Sequence, residues 1–137
     1  MVSQESITRR LQKLEEYISL LERLREHPKK AILSDPFVYG NVERYLQLAI
    51  QTVIDISNYI LAEKKVRGIN EYRDALERLG AEGIIPEKLA SRIVPMAGLR
   101  NILVHEYLDV DREKLYDILH HHLSDLKEFA KHISKVL

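Results

Sequence analysis

The chain contains no cysteine, which removes disulfides, thiolate nucleophiles and sulfur metal sites together and fits a reducing compartment. It also lacks any excess of charge. Lysine plus arginine number 21 and aspartate plus glutamate 21, so no overall field draws in nucleic acid or anionic lipid from a distance, and any polyanion must be met by a local cluster. No apolar run approaches the roughly 18 residues a membrane span requires, and MVSQESITRR has no apolar core of a secretion signal. A soluble cytoplasmic protein with no membrane partner is the expectation. The strict alternation of half-buried strands is absent too, as are repeats and low-complexity linkers.

What is present is helical periodicity. At 137 residues with 45% apolar composition the chain can bury one core without staples, and a single domain over 1–137 is expected. Ile7, Leu11, Leu14, Ile18 and Leu21 recur at intervals of four, three, four and three, predicting a helix from Ser3 to Glu26. The run SDP at Ser34–Pro36, a capping side chain with proline near the first helical turn, signals the next start. Leu46, Ala49, Val53, Ile56 and Ile60 then carry a stripe to about Val66. Such a helix, about 45 Å long at ~1.5 Å per residue, exceeds what this core needs and hints at a partner. Asn70 can cap a third helix with Tyr72, Ala75, Leu76 and Leu79 inward, closed by Gly80 and Gly83. A fourth starts at Pro86 and carries Pro95, where a kink is expected upstream of Arg100. Asp111 caps a last helix with Leu115, Leu119, His122, Leu126, Phe129 and Ile133 on one stripe. The pattern predicts an all-α, antiparallel up-and-down helical bundle of about five helices.

Polar side chains interrupt this pattern in LRNILVHEYLDVD, residues 99–111. Arg100 and Tyr107 lie seven apart and share a helix face, whereas His105 lies about 140° round from Arg100. One straight helix cannot bring all three to one ligand. They converge if the helix ends near His105 and the chain turns, or if two copies face each other across a two-fold axis. Arginine with histidine and no acidic metal cluster suits RNA phosphodiester cleavage, where the 2′-hydroxyl is the nucleophile and no metal is needed. Histidine exchanges protons near neutral pH, and arginine holds the phosphate. A bland reading stays open: such residues at a helix end also cap carbonyls or pair with Glu106 or Asp109, and a tyrosine there is often core rim.

Arg100, Asn101 and His105 with Tyr107 spell R-x4-H-x-Y. With VERYLQLAIQTVIDISNYI, GIIP, MAGLRNILVHEY and DLKEFAKHI, the chain resembles HEPN-domain ribonuclease toxins, specifically the HepT-like family that pairs with minimal nucleotidyltransferase (MNT) antitoxins. The resemblance implies a homodimer whose two arginines and two histidines line one RNA-cleaving cleft, with neither metal nor cofactor. It further implies that Arg100 holds phosphate, His105 does acid/base chemistry and Asn101 positions substrate. Tyr107 is then the acceptor of AMP from the MNT antitoxin, a bulky anionic block like a phosphate. A non-catalytic helical module that partners a nucleotidyltransferase is the alternative.

Other polar residues draw plainer readings. Asp55 suits either a helper to the cleft or a buried salt-bridge partner. His120, His121 and His122 point about 100° apart along a helix, which does not build a metal site. Glu43 and Arg44 read as surface or interface charges, and Tyr39, Tyr45 and Tyr59 as core or dimer contacts.

Overall fold

The computed structural model describes residues 4–105 and 110–137, and every described element is helical: α1 Gln4–Leu24, α2 Lys29–Ser34, α3 Pro36–Glu63, α4 Tyr72–Ala81, α5 Glu87–His105, α6 Arg112–His121 and α7 Leu123–Val136. The 28-residue α3 is the hub, touching α1, α2, α4, α5 and α6, while α7 closes the bundle against α1 and α5. Its buried face is broad, with Val42, Leu46, Ala49, Ile50, Val53, Ile54, Ile56 and Leu61 sealed from solvent, so neighbours pack on more than one side. Ser57 sits fully buried within that face, its hydroxyl donating to the Val53 carbonyl at 2.7 Å, so the buried donor is satisfied. No helix among the described residues is long and apolar enough to cross a membrane.

The SDP start signal holds, with Asp35 as the cap of α3, accepting from the Phe37 N–H at 3.0 Å with Pro36 in the first turn. Ser34 belongs to α2, a six-residue turn that periodicity missed because it buries only Ile32. At α4 the cap position is Glu71, not Asn70. Asp74 reaches back to accept from the Glu71 N–H at 2.9 Å and the Asn70 N–H at 3.2 Å. Asp111 caps α6 as expected, accepting from the Glu113 and Lys114 N–H groups.

The predicted last helix is two. At His122 (φ −123°, ψ −1°) the chain leaves helical geometry and α7 begins. His122 is therefore not an inner-stripe residue; it is half-buried, its Nδ1 3.1 Å from the Asp125 carboxylate. Asp125 is itself buried and accepts from Arg92 Nε at 2.8 Å, so one carboxylate ties α5 to the α6–α7 corner. That interaction holds Arg92 protonated more firmly, chiefly through the Asp125 hydrogen bond.

Candidate functional site

Helix α5 ends at His105, so Arg100 and Asn101 lie in its last turns and His105 is its final residue. Asn101 and His105 are exposed and Arg100 is half-buried. Because the helix is continuous to that point, Arg100 and His105 of one chain sit on different sides of it. Tyr107, Glu106 and Asp109 lie outside the described residues.

Arg100 is held from α3. Its Nε donates to Gln51 Oε1 at 2.7 Å, and Gln51 Nε2 donates to Asp55 Oδ1 at 2.9 Å. Gln51 and Asp55 are four apart and share one face of α3. An ionised carboxylate only accepts, so Asp55 draws the amide NH2 toward itself and turns the amide oxygen to Arg100. The guanidinium carbon lies 5.0 Å from the Tyr72 ring centroid, within cation–π range, and Nη1 makes a long 3.4 Å contact to Asn101 Oδ1. Among the described residues no carboxylate pairs with Arg100; its immediate partners are an amide, a second amide and a ring. Among the described residues the cation is thus positioned without being neutralised, an arrangement suited to an anion.

Gln51 and Tyr72 were not identified from sequence as site residues. Tyr72 was read as an inward core residue; it does pack against the core, half-buried, while supporting Arg100. The available signal for Gln51 was its i, i+4 spacing to Asp55. Asp55 makes no ion pair among the described residues.

The remaining candidates disperse. His120 packs at a tilt against Tyr116 with centroids 4.2 Å apart, and its buried Nε2 has no hydrogen-bond partner among the described residues. Burial, with Arg25 and His121 adding to it, pushes His120 below the usual histidine range. His121 faces Asp117 at 3.6 Å. Among the described residues no group of three histidine, aspartate or glutamate side chains is arranged to hold a metal. Arg10 donates to the Tyr59 hydroxyl at 2.9 Å, Tyr45 meets Tyr17, and Arg112 lies 3.8 Å over Tyr39. Arg44 is exposed, and burial raises the Glu43 carboxyl against the opposing pull of Arg112.

A helical bundle that carries, at one helix end, an arginine unpaired with any carboxylate among the described residues and an exposed histidine is the class that fold and site define. The chain belongs to the HepT-like family: the family model described as Ribonuclease HepT-like matches residues 14–133. It is 36% identical over 95 residues to the tRNA nuclease HepT of Aphanizomenon flos-aquae, covering 69% of this chain and 65% of that protein. It is 31% identical over 84 residues to the mRNA nuclease HepT of Shewanella oneidensis, covering 61% and 63%. The matched region thus spans just under two thirds of each of these relatives. A solved structure of the tri-AMPylated Shewanella oneidensis HEPN toxin in complex with MNT antitoxin is 24% identical, with a TM-score of 0.85 over 94% of this chain and 96% of that one. At that identity the likeness shows the HEPN fold.

Proposed function

We propose that this chain, as a single HEPN domain over residues 1–137, is the toxin of a HEPN/MNT toxin–antitoxin pair and a metal-independent endoribonuclease acting as a homodimer. The observation that carries the reading is Arg100, fixed by Gln51 and Tyr72 yet unneutralised among the described residues, on the helix that ends in exposed His105. In the reaction the substrate's 2′-hydroxyl oxygen bonds to phosphorus as the bond to the 5′-oxygen breaks, leaving a 2′,3′-cyclic phosphate and a 5′-hydroxyl. His105 does the acid/base work, taking the 2′-hydroxyl proton and returning a proton to the leaving 5′-oxygen. Arg100 offsets the charge gathering on the phosphate, and Asn101 orients it. The substrate brings its own nucleophile, so no metal-activated water is needed.

The names of the relatives support RNA as the substrate class, one naming tRNA and the other mRNA. The neighbour's AMPylated state and its MNT partner support Tyr107 as the residue an MNT antitoxin modifies. Purified protein is expected to cleave RNA in excess EDTA. Arg100→Ala and His105→Ala are each expected to slow it about 100-fold or more with unchanged helicity by circular dichroism. Cleavage at the wild-type rate by both variants overturns the assignment.

A further inference from the structure

Between the start of α4 and the middle of α5 lies a cavity of about 750 Å³, whose lining includes Asn70, Glu71, Tyr72, Arg73, Gly98 and Asn101. That volume falls within the range of small-ligand sites. Two of its walls also touch the phosphate-binding cation. The Tyr72 ring lies 5.0 Å from the Arg100 guanidinium carbon, and Asn101 Oδ1 is 3.4 Å from its Nη1. A group filling the groove therefore abuts whatever Arg100 holds.

Gly98 sharpens this. Glycine inside a helix weakens it, and the usual reason to keep one is a close neighbour. Here a Cβ built on Gly98 meets nothing within 4 Å, so no packing partner needs the space. What the missing side chain keeps open is the groove. Its walls offer the groups that read an unpaired base: the Tyr72 ring for stacking and the Asn70 amide, with donors and an acceptor, for a base edge.

We infer that this groove receives the base of the nucleotide adjoining the phosphate held by Arg100, making it a specificity subsite; the inference rests on the ribonuclease reading above. Stacking and base-edge contacts are sequence-selective only on single-stranded RNA, so the preferred substrate is an unpaired loop or end.

The test uses the full chain and a randomised single-stranded oligoribonucleotide pool, with cut ends sequenced and KM and kcat measured on one preferred oligonucleotide. Wild type should favour particular bases at one position beside the cut. Gly98→Leu, which fills the groove, should raise KM about tenfold and flatten that preference, with kcat, helicity and particle mass unchanged. Asn70→Ala, on the opposite wall, should shift the preference without touching α5. A folded Gly98→Leu with wild-type KM and preference, or an Asn70→Ala with unaltered preference, overturns the subsite while leaving the ribonuclease reading intact. A change of particle mass in Gly98→Leu overturns it in favour of a protein contact at the groove. Wild type that cuts no RNA sinks the ribonuclease reading and the subsite with it.

Discussion

With its Nε–H committed to Gln51 and Nη1 only weakly held by Asn101, Arg100 keeps terminal N–H groups for an anion, and its aim depends on which way one amide faces. Asp55 sets that orientation, because a carboxylate cannot donate and an amide NH2 cannot accept. Asp55→Asn removes the constraint, since asparagine can donate to the Gln51 oxygen and let the amide turn. The expected result is a kcat lower by about tenfold to 100-fold with KM nearly unchanged, because a guanidinium displaced by a fraction of an ångström costs most at the transition state. Gln51→Glu should be worse, placing a carboxylate where the amide oxygen stands and neutralising the cation. Steady-state cleavage of one oligonucleotide separates the two constants; a wild-type kcat for both variants excludes the relay. Arg100, Asn101 and His105 were legible in the sequence because they crowd six positions of one helix. Gln51 was not, since it lies 49 residues upstream and its i, i+4 spacing to Asp55 carries no mark of Arg100.

The helix that brings Tyr72 to Arg100 is α4, and its seat on α5 is set by the absence of a side chain. A Cβ on Gly80 would come within 2.9 Å of the Ala90 Cβ and 3.5 Å of the Glu87 Cα. Gly80→Ala should therefore force the helices apart at a cost of about 1–3 kcal/mol, offset by at most about 1 kcal/mol of better helix propensity. A Tm lower by several degrees and a raised KM are the expected readouts; an unchanged Tm contradicts so tight a seat. On α6 the relevant group is His120, whose pKa is pushed down mainly by burial, with Arg25 and His121 contributing. Its folded pKa lies below its unfolded one, so the unfolded chain takes up the extra proton, and the stability it contributes is present above about pH 6.5 and lost as pH falls below it. Thermal melts across pH 5–8 should show a shallower acid-side decline for His120→Phe than for wild type, and equal slopes refute the assignment. The main helices could be predicted from apolar spacing. The break at His122 could not, because Leu115, Leu119, His122, Leu126 and Phe129 keep the helical period across it while the Asp125 N–H bonds back to the His122 carbonyl at 3.2 Å, a three-residue step in place of four.

For the whole molecule the central constraint is that α5 remains helical to His105, which puts Arg100 and His105 of one chain about 140° apart around its axis. A cleft using both is most simply completed by a second copy, the arginine of one protomer working with the histidine of the other. The balanced charge, 21 basic against 21 acidic residues, works in the same direction, since a chain without a net field gains from presenting two copies of Arg100 to one phosphate. The composite cleft makes a prediction that no single variant can test. Arg100→Ala and His105→Ala protein, each inactive alone, are mixed in equal amounts under conditions that let subunits exchange. About half the dimers then carry one intact arginine and one intact histidine on opposite protomers, and the cleavage rate should rise at least about tenfold above that of either parent. The doubly substituted Arg100→Ala, His105→Ala chain, mixed with either parent, should give no such rise, which separates complementation from a change in protein concentration. If the mixture cuts RNA no faster than the sum of its parts although mass measurement shows that heterodimers have formed, each protomer must carry its own complete site.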